Sequence, residues 1–158
     1  MTNVQVQSAP RLPPRWFIRS FWIAHRAAFR ISGGRFGLRT ATSDRWGMLC
    51  LTTTGRRSGS ARRAILGYLT DGPDLIVLAT NGMADTAPAW WRNLEKSPKA
   101  RVDLPGASYP VQARVAEGTE RDRLWALWAA RGDELDAHAA ARSEVIPVIV
   151  LEQADDPA

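Results

Sequence analysis

Residues 48–78 read MLCLTTTGRRSGSARRAILGYLTDGPDLIVL, and this stretch decides the fold class. It contains three runs rich in apolar and β-branched residues, at 48–53, at 64–69 and from Leu75 onward to residue 80. Turn-forming segments that contain glycine separate the runs. Short strands joined by such turns predict antiparallel pairing, and the continuously apolar run from Leu75 predicts a strand buried on both faces.

The pattern continues along the rest of the chain. Further strands are predicted at 100–104, 109–117 and 145–151, the last interrupted by Pro147 and therefore an edge or a bulge. Short helices are predicted at 88–95, with Pro88 as the first helical residue, from a Thr119 cap to residue 130, and within 134–142. About six strands with short flanking helices predict a mainly β (α+β) antiparallel barrel.

The N-terminal part differs in composition from the barrel. Residues 1–13 are polar and proline-rich and are predicted to be disordered, and 14–32 are predicted to form an amphipathic helix that ends at Gly33-Gly34. Tryptophan, phenylalanine and arginine alternate over 15–31. The helix either covers one end of the core or makes a peripheral contact with an anionic membrane, and the sequence leaves both open.

Length and composition predict one domain in the 158-residue chain, with a barrel over 33–152 and a tail over 153–158. No apolar run is long enough to span a membrane, and the polar start does not resemble a signal peptide. Cys50 is the only cysteine, so no intramolecular disulfide can form. These features predict a cytoplasmic protein, with membrane association left open through the helix.

Basic charge is concentrated in the first part of the chain. Residues 1–63 contain twelve arginines and one acidic residue, Asp44, for a balance of +11, whereas the remainder has nine basic and fifteen acidic residues, for a balance of −6. One side of the protein is therefore expected to attract anions. A nucleic acid is not the expected partner, because base-stacking aromatic residues are not interleaved with the basic loop.

The densest basic segment is TTTGRRSGSARR at 52–63, which has four arginines within eight residues. Guanidinium groups suit phosphate and carboxylate, and the glycines allow a tight turn that brings backbone N–H groups close to a ligand. Strand alternation predicts that Arg62 and Arg63 point to opposite faces. A solvated hairpin without a ligand is the alternative.

A second candidate segment follows the apolar strand. ATNGMAD at 79–85 is a polar turn, and PAWWRNL at 88–94 is a short aromatic helix suited to form a wall beside a planar ring. Trp90 and Trp91 point about 100° apart on a helix, so one is predicted in the core and the other outside it.

Standard catalytic sets are absent from the sequence. His25 and His138 are the only histidines, and they show no metal-type spacing with Cys50. A chain poor in acid–base groups and rich in anion-binding groups fits a bound cofactor that carries the reaction itself.

Together the segments LTTTGRRSG, RR…LGYL, VLATNG, PAWWRNL, SPKARV and IPVIVLE resemble the deazaflavin-dependent nitroreductase family over 33–151. The resemblance implies a split β-barrel of the flavin-reductase and pyridoxamine-phosphate-oxidase type. It also implies coenzyme F-420, a deazaflavin whose tail carries a phosphodiester and several glutamates, with FMN less favoured. Homodimers are a further implication by analogy.

The resemblance implies a cofactor site that runs from the basic loop to the aromatic helix. The tail would meet Arg56, Arg57 and Arg62; the ring would meet Ile65, Leu66 and Gly67 and then Leu78, Ala79, Thr80 and Asn81; and the helix wall would be Pro88, Ala89, Trp90 and Asn93. No metal site is implied.

The acceptor end departs from the family pattern. Tyrosines that precede the Ile-Pro motif in many relatives are replaced by Gly132, Leu135 and His138, and Met83 replaces a common glycine. His138 and Leu135 are the candidates for the substrate pocket, although a solvent-facing His138 is the alternative. The implied reaction is hydride transfer from reduced F-420 to a small acceptor such as an enone, quinone or nitro compound. The competing interpretation is a non-catalytic protein that binds a flavin, a fatty acid or another anion.

Overall fold

Six antiparallel strands close into a barrel in the computed structural model, which describes residues 37–81, 86–132 and 135–155. The strands β1 to β6 are Gly47–Thr54, Ala61–Asp71, Asp74–Leu78, Lys99–Leu104, Ala107–Val115 and Val148–Gln153. The helices of the described residues are α1 (Ala89–Lys96), α2 (Gly118–Ala129) and α3 (Leu135–Ala140). The predicted barrel class is confirmed.

The strand order around the barrel is β1-β2-β3-β6-β5-β4, and β4 pairs with β1 to close it. All the pairings are antiparallel, and β6 inserts between β3 and β5 although it comes last in the chain. The segment predicted to be disordered at 1–13, the helix predicted at 14–32, Met83 and residues 156–158 of the predicted tail lie outside the described residues. No helix among the described residues is long and apolar enough to cross a membrane.

Several predicted boundaries were wrong. Helix α1 begins at Ala89, and Pro88 is its N-cap residue instead of its first helical residue. Pro147 precedes β6 instead of interrupting it, and its carbonyl oxygen accepts a hydrogen bond from Ala79 N–H at 3.0 Å. The third strand ends at Leu78 rather than at residue 80, because Thr80 N–H turns back to the Leu78 carbonyl oxygen at 2.8 Å. Thr119 lies inside the first turn of α2, which has Glu117 at its N-cap position and no side-chain cap.

Strand alternation divides the apolar side chains between two clusters. On β6, Ile149 and Leu151 belong to the cluster inside the barrel, whereas Val148 and Val150 belong to an outer cluster with Leu124 of α2. On β3, Val77 faces the inside cluster in the same way. Two-sided burial explains why these strands are continuously apolar instead of alternating with polar residues.

Helix α1 fills the barrel interior with Trp90, Trp91 and Leu94, which are 7%, 9% and 2% exposed. The prediction that one of the two tryptophans would lie outside the core was wrong. Both rings reach the same cluster because the helix is packed against the barrel over a broad face. Large aromatic side chains of this kind contribute much of the burial that stabilises a small domain.

Charged side chains fasten α2 to the outside of the barrel. Arg114 of β5 donates two hydrogen bonds to the Glu120 carboxylate at 2.7 and 2.8 Å. Arg123 makes a similar pair with Asp71 at the end of β2, at 2.9 and 2.7 Å. These hydrogen bonds lower the pKa of both carboxyl groups. They fix the position of a helix whose apolar face covers the outer cluster.

Gly47 is required at the start of β1 by close contacts. A β-carbon there would lie 2.4 Å from Cε1 of Tyr68 and 2.6 Å from the backbone nitrogen of Ala41. Tyr68 is 2% exposed, and its hydroxyl accepts a hydrogen bond from Ala41 N–H at 3.1 Å. A side chain at 47 must therefore displace a buried ring or a backbone segment.

We expect Gly47→Ala to destabilise the protein by about 1–3 kcal/mol, the usual effect of overpacking a core. The melting temperature should fall by roughly 2–10 °C for a chain of this size, as measured by thermal denaturation. Gly132→Ala is the matched control, because no atom lies within 4 Å of the β-carbon it would add. A Gly47→Ala protein as stable as the control would contradict this account of the contact.

Candidate functional site

The loop that joins β1 to β2 presents Arg56 and Arg57, and its two glycines set its shape. Gly59 has a φ of +69°, which L-residues with side chains rarely adopt. A β-carbon at Gly55 would lie 3.0 Å from the Ser60 carbonyl oxygen, too close for ordinary packing. The loop is therefore a defined turn rather than an open hairpin end.

Most of the backbone donors that border this turn are used inside the protein. Gly55 N–H donates to the Ser60 carbonyl oxygen and Gly59 N–H donates to the Gly55 carbonyl oxygen, both at 2.8 Å. Arg56 N–H donates to Oδ1 of Asn93 at 3.1 Å. The turn and α1 thus satisfy the N–H groups of Gly55, Arg56 and Gly59, so these three are not the donors that the sequence predicted for a ligand. The side-chain cations of the loop are the stronger candidates for anion binding.

A cleft of about 280 Å³ opens beside the turn. It is lined by Thr54, Gly55, Arg56, Arg57, Gly59, Lys96 and Ser97. Three of these described lining residues are cationic and none is acidic, so the cleft favours a ligand with several negative charges. We call this space the arginine cleft.

Sequence reasoning missed Lys96, which joins the arginine cleft from the last turn of α1. Its Nζ donates a hydrogen bond to the Arg56 carbonyl oxygen at 2.9 Å, across forty positions of sequence. The only available signal was its place one residue after the predicted helix 88–95. From the sequence alone, a lysine at that point is expected to be solvated, because its place in the cleft depends on how α1 packs against the loop.

Arg62 and Arg63 point to opposite faces of β2, as strand alternation predicted. Nη2 of Arg62 lies 3.4 Å from Oγ of Ser58 and so stays beside the loop. Arg63 pairs with Asp103 of β4 at 3.0 Å, away from the loop. Only Arg62 of this pair remains a candidate for the tail site.

The predicted ring contacts on β2 fall on both faces of the strand. Leu66 packs against the barrel interior, whereas Gly67 faces outward and is covered by two indole rings. A β-carbon at Gly67 would lie 3.1 Å from Cε3 of Trp46 and 3.6 Å from Cη2 of Trp128. Both tryptophans were missed from the sequence, because one precedes β1 and the other lies on α2. Ile65 is half-buried on the same face as Gly67.

The residues predicted after β3 are spread from the core to the surface. Ala79 is 1% exposed, Leu78 packs against the outer cluster, and Thr80 is half-buried. Asn81 is exposed, and its Nδ2 lies 3.4 Å from Oγ1 of Thr86. Ala79 also lines a second cleft of about 170 Å³ at this end of the barrel.

On α1 the predicted wall residues differ strongly in exposure. Pro88, Trp90 and Asn93 are buried, whereas Ala89 is exposed. Both polar atoms of the Asn93 side-chain amide form hydrogen bonds within the protein. Nδ2 donates to Oγ1 of Thr53 at 3.0 Å, and Oδ1 accepts from Arg56. The structure therefore brings Asn93 together with Arg56, which precedes Arg57 in the loop.

The two acceptor-pocket candidates lie on α3. Leu135 and His138 are both half-buried there. The helix is attached to α2 by a hydrogen bond from Nε1 of Trp125 to Oδ1 of Asp136, at 2.7 Å. Neither residue lines the arginine cleft, and no hydrogen bond or ion pair among the described residues joins either of them to it.

Cys50 does not qualify as a nucleophile. It is fully buried in β1, and burial raises the pKa of its thiol. A protonated, enclosed thiol is a poor nucleophile. The described residues thus offer an anion-binding cleft and an aromatic surface on β2, but no activated nucleophile at Cys50.

Comparisons with known proteins show which family the chain resembles. The F420H(2)-dependent quinone reductase family model matches residues 22–153. The F420H(2)-dependent quinone reductase Rv1261c of Mycobacterium tuberculosis is 28% identical over 144 residues, which cover 87% of this chain and 95% of the relative. A shorter relative from the same strain, Rv3178, is 36% identical over 104 residues, which cover 65% of this chain and 87% of the relative.

Solved structures share the barrel. An F420-H2 dependent reductase, FDR-A, superposes with a TM-score of 0.61 at 26% identity, covering 66% of this chain and 93% of that one. A domain-swapped dimer has the same fold, with a TM-score of 0.62 at 23% identity, and covers 85% of this chain and 99% of that one.

The nitroreductase label suggested by the sequence motifs is not confirmed, whereas the deazaflavin cofactor and the oxidoreductase class are. With its barrel, its arginine cleft and a family match over most of its length, the chain belongs to the F420H(2)-dependent quinone reductase family and is an F-420-dependent oxidoreductase.

Proposed function

We propose that this protein transfers a hydride from reduced F-420 to a quinone-type acceptor, with the anionic tail of the cofactor held in the arginine cleft. The observation that carries the proposal is the convergence of Arg56, Arg57 and Lys96 on one cleft without an acidic lining residue. A tail with a phosphodiester and several carboxylates matches three cations better than a single phosphate does. The quinone-type acceptor follows from the family and from the activity named for its relatives.

The residues of this chain hold and orient the cofactor. Arg56 and Arg57 bind the tail with Lys96, and Arg62 adds charge from the start of β2. The ring meets an outward apolar surface of β2, made of Ile65 and of the Trp46 and Trp128 indole rings that cover Gly67. Leu66 contributes through its backbone, because its side chain packs inward. The end of β3 and the segment after it border the ring and phosphate with Leu78, Ala79, Thr80 and Asn81. The start of α1 borders them with Pro88, Ala89 and Trp90.

When bound, the reduced deazaflavin supplies the hydride from its C5 atom. Reduction of a quinone to a hydroquinone takes up that hydride and one proton. The protein contributes orientation, and His138 and Leu135 on α3 are proposed to border the acceptor, with the His138 ring as a hydrogen-bond donor to a carbonyl oxygen. Cytoplasmic location, pairing into homodimers and a membrane contact through residues 15–31 stay predictions.

Steady-state oxidation of reduced F-420 with a panel of quinones, enones and nitroaromatic compounds tests the function. We expect turnover with a quinone that exceeds turnover with the other classes. Turnover with only enones or nitroaromatics would contradict the acceptor class. Tight F-420 binding without turnover by any acceptor would instead favour the non-catalytic binding protein.

We expect Arg57→Ala and Lys96→Met each to weaken F-420 binding by about 10- to 150-fold, the value of one lost charge-assisted hydrogen bond. Binding is measured by fluorescence titration. Arg57 is exposed, so the loss should leave the melting temperature unchanged.

Lys99→Met is the matched control for Lys96→Met, because it removes the same charge from the only other lysine, which lies outside the arginine cleft. FMN serves as the comparison ligand and should bind wild type less tightly than F-420. Equal losses in both lysine variants would mean that net charge, rather than the cleft, controls binding.

We expect His138→Phe to lower turnover by roughly fivefold or more while the Kd for F-420 changes by less than about twofold. The substitution keeps the ring and removes the hydrogen-bond donor. His138→Gln, which keeps an N–H donor, should retain most of the turnover. Unchanged turnover of the phenylalanine variant with every accepted quinone would make His138 a surface residue.

A further inference from the structure

Helix α1 is joined to the arginine loop by a polar contact inside the protein. The Asn93 side chain is 4% exposed, and its Oδ1 accepts hydrogen bonds from the Arg56 backbone N–H at 3.1 Å and from Nη1 of the same residue at 3.5 Å. Its Nδ2 donates to Oγ1 of Thr53 at 3.0 Å. One side chain therefore connects the end of β1, the loop backbone and the Arg56 guanidinium.

This geometry leaves Asn93 little capacity to contact a ligand. An amide oxygen accepts two hydrogen bonds, and both are taken here by Arg56. Of the two donor hydrogens on Nδ2, one is used by Thr53, which is itself 2% exposed. The contacts point to Asn93 as a support for the loop rather than as a wall that touches the cofactor.

We propose that Asn93 is a positioning residue for the F-420 tail: it holds Arg56, and with it the turn that carries Arg57, in the conformation that binds anions. The inference rests on the proposed placement of the tail in the arginine cleft. A buried amide that satisfies an otherwise unpaired backbone N–H pre-organises the site, so the loop does not have to be ordered when the ligand arrives.

Among the described residues, the side-chain hydrogen bonds of Asn93 reach Thr53 at the end of β1 and Arg56 in the loop, and none reaches the positions of β2 proposed to meet the ring. Lys96 also holds Arg56, because its Nζ donates a hydrogen bond to the Arg56 carbonyl oxygen. Asn93 and Lys96 of α1 therefore bind the same loop residue. Loss of Asn93 should therefore disturb binding of the phosphate and carboxylate groups and leave the binding of the ring to β2 unaffected. If Asn93 instead contacted the ring directly, its loss should weaken binding of the ring as well.

The test compares F-420 with the deazaflavin chromophore that lacks the phosphodiester and glutamates, in fluorescence titrations of the full-length protein. Asn93→Leu, which keeps the bulk and removes every hydrogen bond, should weaken F-420 binding by about tenfold or more and chromophore binding by less than about twofold. Equal losses for both ligands would overturn the proposal in favour of direct contact. An unchanged affinity for F-420 would overturn it as well.

Thr53→Val keeps the inference testable if the leucine variant fails to fold. This nearly isosteric change removes the hydroxyl that accepts from the Asn93 amide and that also donates to the Arg62 carbonyl oxygen at 3.4 Å. It leaves the contacts between Asn93 and Arg56 in place, so it should give a smaller loss with the same selectivity for F-420 over the chromophore. Thr53→Ser retains the hydroxyl and should bind both ligands as wild type does. A valine variant indistinguishable from the serine variant would count against a role of this contact.

The titrations also separate this inference from the function it rests on. If Arg57→Ala and Lys96→Met bind F-420 as wild type does, the tail does not lie in the arginine cleft and the proposed placement fails. If those variants lose affinity and Asn93→Leu does not, the placement stands and only the positioning role of Asn93 fails.

Discussion

The packing of α1 into the barrel is the interaction on which the rest of the molecule depends. A closed six-stranded barrel encloses a space that its own side chains must fill, and Trp90, Trp91 and Leu94 of α1 join the cluster that does so. Because those side chains fix the helix, Asn93 and Lys96 on the same helix are carried to the loop between β1 and β2. Core packing and the anion-binding cleft therefore share one structural cause.

The outer face of the barrel has a different architecture. There β2, β3 and β6 present apolar side chains to α2, which is held in place by the Arg114 and Arg123 ion pairs. Trp128 reaches from this helix to the outward face of Gly67, which Trp46 also covers. The surface assigned to the deazaflavin ring is thus built from apolar and aromatic groups, whereas the surface assigned to its tail is built from cations.

This division suits an enzyme whose cofactor carries the chemistry. The protein has few acid–base groups to offer, its single cysteine is enclosed, and its histidine candidate stands on α3 rather than in the arginine cleft. The contribution of the chain is to bind a polyanionic deazaflavin in one orientation and to admit an acceptor beside it. Substitutions that alter binding and those that alter turnover are accordingly expected to fall on different elements.

The sequence by itself determined the barrel class, the turn at 55–60 and the opposite directions of Arg62 and Arg63, because glycine conformations and the two-residue period of a strand are local properties. The ordered motifs also indicated F-420. Only the tertiary structure decided that both Trp90 and Trp91 are buried, that Lys96 lines the arginine cleft and that Asn93 faces Arg56 rather than solvent. Each of these facts depends on how a helix packs against strands about forty positions earlier in the chain, and no local pattern encodes such a contact.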